Sequence, residues 1–162
     1  MFTLEAILAR YTTLEGALGD FPQATLVHLP QDIGMIPMVG TLLQELEKRY
    51  QGRTRVTEPD IQQFSPSIHP NFERLIVGVD KFARHLSQRG MVAYVEATFT
   101  GGYGGHATMI WENGQLIGEP GDRINVVLQR LGVVATSGLD EFDTVGLGRH
   151  RTTRQWLTNS AG

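Results

Sequence analysis

The sequence predicts an α+β fold, in which a small sheet packs against about four helices within one domain spanning residues 1–162. A run of β-prone segments separated by turn residues, from about residue 91 to 118, predicts an antiparallel β-meander. Apolar residues at helical spacing on either side of that run predict the helices. The chain has 162 residues and no Pro-, Ser- or charge-rich boundary, which favours a single domain.

The first part of the chain carries apolar residues at intervals of three and four, which predicts an N-terminal helix: Leu4, Ile7, Leu8, Tyr11, Leu14 and Leu18. Residues 24–29 are apolar and β-prone and stop at Pro30, which predicts a strand. The apolar stretch 33–38 is interrupted by Gly34 and Pro37, so we expect a buried connection rather than a regular strand there.

A capping box formed by Thr41 and Gln44 predicts a helix that buries Tyr50 near its end and stops at Gly52. Residues 53–70 are polar and contain several prolines, which indicates a mobile loop. Apolar residues then repeat at helical spacing over 72–86, between Pro70 and Gly90, and predict a helix of four turns with the clearest pattern in the chain.

The predicted meander consists of strands at 91–100, 106–112 and 115–118. A glycine-rich link, 101–105, joins the first two strands, and Asn113-Gly114 forms a tight turn in which both residues need positive φ. A helix over 124–131, capped by residues 120–122, should follow. The pair Val133-Val134 indicates one more short strand, and Trp156 indicates a short final helix.

Composition excludes several functional classes. The chain has no cysteine, so thiol catalysis, disulfides and cysteine-ligated zinc are impossible. The formal net charge is -3, which disfavours sequence-independent binding of a nucleic acid. The sequence shows no signal peptide and no apolar stretch of membrane-spanning length, so we expect a cytoplasmic protein that does not bind a membrane.

The glycine-rich link is the most unusual local feature. Gly102, Gly104 and Ala107 match the G-x-G-x-x-A pattern of dinucleotide-binding proteins, but that pattern requires a helix after the glycines. The sequence following Ala107 is β-prone, which argues against a nucleotide cofactor. Two interpretations remain open: a bulged hairpin loop, or a binding loop in which Tyr103 supplies the contact surface.

Glu96 and His106 are the candidate catalytic residues. If the strand register places both on one face of the sheet, they form a carboxylate–imidazole pair suited to acid–base chemistry. A polar cross-strand pair facing solvent is the alternative. The histidines lack the spacing of a metal site, so we expect neither a metal nor another cofactor.

A basic cluster near the C-terminus follows an acidic stretch at 140–143 and is the second candidate binding region: Arg149, His150, Arg151 and Arg154. Guanidinium groups bind carboxylates and phosphates well. The acidic stretch and the cluster could also neutralise one another, or simply be solvated.

Two functional hypotheses follow. The first is a non-catalytic binding or accessory protein, such as an inhibitor, an immunity-type protein or an assembly factor, that docks a protein partner through the hairpin, the proline-rich loop or the basic cluster. The second is a small enzyme or ligand-binding domain, in which Glu96, His106 and the C-terminal arginines act together on an anionic substrate.

Overall fold

The computed structural model of the chain describes residues 1–50, 77–101, 103–117 and 123–160. The predicted mobile loop at 53–70, the first part of the predicted helix 72–86 and the predicted cap at 120–122 lie outside the described residues. The α+β class is confirmed, because the described residues form one antiparallel sheet together with several helices.

The sheet contains six strands, which lie side by side in the order β2-β3-β1-β4-β5-β6. All of the paired neighbours are antiparallel. The strands are β1 (Phe2–Arg10), β2 (Val27–Leu29), β3 (Ile33–Pro37), β4 (Val92–Thr100), β5 (Tyr103–Glu112) and β6 (Gln115–Ile117).

The described residues form six α-helices, where the sequence predicted about four. Two of the six are only four residues long. The helices are α1 (Tyr11–Leu14), α2 (Gly40–Tyr50), α3 (Val77–Leu86), α4 (Ile124–Arg130), α5 (Glu141–Thr144) and α6 (Gln155–Ser160).

The predicted N-terminal helix is wrong over its first part, because residues 2–10 form the strand β1, while Tyr11–Leu14 are helical as α1. This strand lies inside the sheet and is buried on both faces, so its apolar residues are nearly continuous and also satisfy helical spacing. Pairing with β4 along eight residues and with β3 along five provides the hydrogen bonds that decide in favour of a strand.

The stretch predicted to be a buried connection forms strand β3, whose five residues are all buried. Pro37 is tolerated because it is the last residue of this strand, where a missing N–H interrupts little of the ladder. The predicted strand at 24–29 is shorter than expected, since only Val27–Leu29 pair with β3. Val133 and Val134 form no strand.

Helices pack on both faces of the sheet and enclose two hydrophobic clusters. On one side, called here the helix-pair face, α2 and α3 pack against the sheet and bury Leu46 and Phe82. On the other side, called the C-terminal face, residues of α4 and α6 such as Leu128 and Trp156 join the second cluster. Within the described part of the chain, functional groups on the sheet are therefore accessible where these helices end.

In the region of the predicted meander, β5 pairs with β4 and β6 pairs with β5. The tight turn is confirmed, because φ is +54° at Asn113 and +77° at Gly114. Ser87 holds this turn in place: its Oγ accepts a hydrogen bond from the Gly114 N–H at 2.9 Å. The strand continues through Ala107, so the helix that a dinucleotide-binding pattern needs is absent from β5.

None of the described helices has the length and apolar character required to cross a lipid bilayer.

Candidate functional site

Glu96 and His106 lie on opposite faces of the sheet. The β4–β5 register pairs Glu96 with Ala107, and it pairs Ala97 with His106. Directly paired residues share a face while sequence neighbours alternate, so Glu96 belongs to the helix-pair face and His106 to the C-terminal face. Glu96 is buried, whereas His106 is exposed. The structure therefore does not bring these two side chains together as an acid–base pair.

The glycine-rich link is shorter than its sequence indicates. Thr100 pairs with Tyr103, so only Gly101 and Gly102 connect the two strands. Gly101 has a φ of +56°, a left-handed conformation that favours glycine. Gly102 lies outside the described residues, and so does the side chain of Tyr103.

Gly104 and Gly105 are part of β5 rather than of the loop, and they differ in their surroundings. A β-carbon on Gly104, where φ is +158°, would lie 1.9 Å from the Thr98 carbonyl oxygen. A β-carbon on Gly105 would meet nothing within 4 Å. Only glycine fits at position 104, because the backbones of β4 and β5 approach each other closely there.

The tip of the β4–β5 hairpin extends beyond the helices on both faces of the sheet. Residues 98–101 and 104–106 are exposed, although β4 is buried from Val92 to Ala97. Phe99 remains 39% exposed, and its ring lies 6.2 Å from that of Phe2. Backbone and side chains of the hairpin are therefore accessible from two sides.

The basic cluster lies on a backbone segment that is bound to β1. The Thr3 N–H donates to the Arg151 carbonyl at 2.8 Å, and the Glu5 N–H donates to Thr153 Oγ1 at 2.9 Å. These donors point away from β4, toward the side of β1 on which β3 has ended. The segment thus covers the part of β1 that β3 does not reach.

Further contacts fix the conformation of this segment. Gln155 Oε1 accepts hydrogen bonds from the N–H groups of Arg151 and Thr152, at 2.8 and 3.1 Å. The His150 ring packs edge-on against Trp156, with 4.5 Å between ring centroids. Because Trp156 is buried in the C-terminal cluster, His150 anchors the segment to the core.

The three arginines of the cluster, Arg149, Arg151 and Arg154, are exposed. Within the described part of the chain, the salt bridges join His28 to Asp32 and Asp80 to Arg84, and none involves the cluster. The acidic stretch makes other contacts: Asp140 Oδ1 accepts from the Asp143 N–H at 2.8 Å, and Glu141 binds Gln129 at 2.9 Å. Neutralisation of the arginines by this stretch is not observed.

The hairpin tip and the basic cluster occupy the same end of the sheet. Across this end, the segment 151–153 lies beside β1, β1 pairs with β4, and β4 pairs with β5. Three strand spacings of about 4.8 Å separate the outermost members, so their backbones lie about 14 Å apart. Residues 98–101, 104–106 and 149–154 are called here the hairpin-end surface.

Sequence reasoning missed a buried pair of carboxylates. Glu5 of β1 is directly paired with Glu96 of β4, and both side chains are more than nine-tenths buried. They share the helix-pair face, where the Tyr94 hydroxyl donates to Glu96 Oε1 at 2.8 Å. Opposed side chains in such a ladder have β-carbons about 5 Å apart. The signal in the sequence was Glu5 itself, a charged residue among the apolar residues at the start of the chain.

A groove of about 560 Å³, lined by polar residues, lies against α2. Arg49 borders it and stacks 4.3 Å above the Phe21 ring, while Glu45 Oε1 accepts from the Gln23 N–H at 3.3 Å. None of the predicted site residues lines this groove. Within 1–50, 77–101, 103–117 and 123–160, no group of three His, Asp or Glu side chains is placed to hold a metal ion.

Comparison with protein family models, with curated proteins and with solved structures gave no match.

Proposed function

We propose that this chain is a non-catalytic binding protein that docks a protein partner through the hairpin-end surface. The observation that carries the proposal is a hairpin exposed on both faces beside three exposed arginines without an acidic partner in the described residues. An inhibitor, an immunity-type protein or an assembly factor would each use such a surface. Loops and hairpin tips supported by a rigid sheet are common places for recognition.

The dimensions of the hairpin-end surface suit one protein interface. A standard interface buries about 800 Å² on each partner, equivalent to a patch roughly 28 Å across. The hairpin and the basic cluster are separated by about 14 Å, so one partner could contact both. Phe99 adds apolar area at the centre, and guanidinium groups lie at the rim, a composition typical of recognition surfaces.

Site-specific photocrosslinking in lysate of the source cells tests this proposal. A benzophenone amino acid at His106 should yield one discrete adduct with a second protein, identifiable by mass spectrometry. The same group at Lys81, exposed on α3, is the control and should yield no such adduct. A chain that runs as a monomer and gives no adduct from His106 contradicts the proposal, and an adduct of two copies of this chain replaces the partner with self-association.

A second candidate function, a small enzyme or ligand-binding domain, is favoured by the carboxylate pair. This version keeps Glu96 from the sequence prediction and replaces His106 with Glu5, since these two residues are opposed on one face. A buried carboxylate needs a bound proton, a hydrogen-bond donor or a cation to offset the free-energy cost of removing its charge from water. Ionisable groups in such surroundings are frequent in active sites. The Tyr94 hydroxyl supplies one donor.

A thermal-shift screen distinguishes this second candidate. Small anionic, cationic and polyol compounds are tested against the wild type, and a true ligand raises the melting temperature by mass action. The shift should disappear in both Glu5→Gln and Glu96→Gln and persist in the control Glu112→Gln, which alters an exposed carboxylate. A ligand whose shift survives both substitutions would exclude the carboxylate pair as its site.

A further inference from the structure

The charge of the hairpin-end surface indicates what kind of partner fits it. We infer, on the basis of the docking function proposed above, that the partner presents an acidic protein surface whose carboxylates contact Arg149, Arg151 and Arg154. The inference rests on the ordered backbone that carries these residues, on guanidinium groups that make no ion pair with any described residue, and on the charge of the rest of the chain.

The backbone of the cluster is preorganised. Hydrogen bonds to Thr3, Glu5 and Gln155 fix it at three places, and Thr153 is buried beneath it. A surface that is ordered before binding avoids the entropy loss of ordering on association. Six residues span at most about 20 Å, so the three guanidinium groups fall within a single interface footprint.

Among the described residues, no internal contact explains the presence of the three arginines. No salt bridge or side-chain hydrogen bond of Arg149, Arg151 or Arg154 occurs among the residues that the structure describes. By comparison, Arg10 donates to the carbonyls of Gln31 and Leu131, and Arg84 binds Asp80. Unlike those two, the cluster arginines are available to an external acceptor.

Two observations favour carboxylates over a nucleic acid. The chain carries a formal net charge of -3, and the segment that precedes the cluster exposes Asp140 and Asp143, which oppose the unbroken line of phosphates along a nucleic acid more than the discrete carboxylates of a folded protein. Single-stranded nucleic acids also bind through open aromatic faces. Among the described aromatic side chains of this surface, Phe99 lies beside Phe2 and the His150 ring packs against Trp156. A planar guanidinium pairs bidentately with a carboxylate as well as with a phosphate, so the three arginines can bind the Asp and Glu side chains of a protein.

The test uses fluorescently labelled poly-L-glutamate as an acidic polypeptide and oligo-dT of similar charge as the alternative polyanion, both titrated with the full chain at low salt. The variant R149E/R151E/R154E is compared with R89E/R123E/R130E, which makes the same change of charge at exposed arginines elsewhere. Circular dichroism melts verify that both variants are folded. If the first variant is unfolded, R149Q/R151Q/R154Q replaces it.

We expect the wild type and the control variant to bind poly-L-glutamate with affinity that falls as salt is added, because exposed ion pairs are screened. The cluster variant should bind about tenfold more weakly or worse, since three pairs are lost and repulsion is added. Tighter binding to oligo-dT than to poly-L-glutamate, no binding to poly-L-glutamate, or equal loss in both variants would each overturn the inference. A His106 crosslink that persists in the cluster variant would leave the docking function standing and reject the acidic partner alone.

Discussion

Replacement of Gly104 by alanine is expected to destabilise the protein severely, whereas replacement of its neighbour Gly105 is not. A β-carbon at Gly104 would lie 1.9 Å from the Thr98 carbonyl oxygen and 2.7 Å from the Phe99 α-carbon. Both atoms belong to the backbone of β4, so no side-chain rotation relieves the collision. The strands must separate, and this separation breaks the hydrogen bonds at the end of the hairpin.

Overpacking of this kind costs about 1–3 kcal/mol and occasionally more. The φ of +158° at Gly104 adds strain for any residue with a β-carbon. We therefore expect Gly104→Ala to lower the free energy of unfolding by about 3 kcal/mol, which corresponds to a fall of roughly 6–12 °C in melting temperature for a chain of this size. Gly105→Ala meets no atom within 4 Å and should change stability by less than about 1 kcal/mol, in the stabilising direction.

Urea denaturation followed by the fluorescence of Trp111 and Trp156 measures both variants. Equal stability of the two would refute the reasoning. A larger loss of stability in Gly105→Ala than in Gly104→Ala would indicate a register shifted by one residue. In that register Gly105 pairs with Phe99, and His106 moves to the face that carries Glu96. The same pair of measurements thus tests whether those two residues are separated by the sheet.

Three other substitutions have defined outcomes. Asp80 Oδ1 accepts a hydrogen bond at 3.0 Å from the side-chain N–H of the fully buried Trp111. Asp80→Ala removes this acceptor and should lower the free energy of unfolding, measured by urea denaturation, by about 2–3 kcal/mol. Asp80→Asn keeps an oxygen acceptor and should lose less. Tyr94→Phe removes the donor to Glu96 and should destabilise the chain by about 1.5–3 kcal/mol in the same assay, and a loss below about 0.5 kcal/mol would contradict this role. Burial raises the pKa of Tyr50 above its ordinary value, with the charge of Arg49 opposing the shift. The stabilisation linked to protonated Tyr50 is then complete below pH of about 10, and it is lost as pH rises through the pKa of Tyr50 in the folded protein. Tyr50→Phe should therefore reduce the fall in the free energy of unfolding measured between pH of about 9 and about 11.

Local patterns predicted the elements whose signals are local. Thr41 and Gln44 correctly predicted α2, apolar spacing predicted the described part of α3, and Asn113-Gly114 predicted the turn between β5 and β6. In β1 the pattern was ambiguous, because burial on both faces produces a run that fits a helix equally well. The error concealed Glu5, whose pairing with Glu96 depends on the strand.

The position of the basic cluster could not be predicted for a different reason. Its contacts with β1 join residues far apart in sequence, and the hydrogen bond from Glu5 to Thr153 spans 148 positions. No periodicity within either segment encodes such a contact. The register that separates Glu96 from His106 was equally hidden, since it depends on a loop of two residues where the sequence indicated five.

The bond between the start of β1 and residues 151–153 also has consequences for biosynthesis. On the ribosome, Thr3 and Glu5 emerge long before the residues that accept and cover their N–H groups. Until translation reaches Thr153, this portion of the central strand has an open edge that neighbouring nascent chains could pair with. A chain that ends before this segment is therefore expected to expose that edge and to aggregate more readily than the chain that includes it.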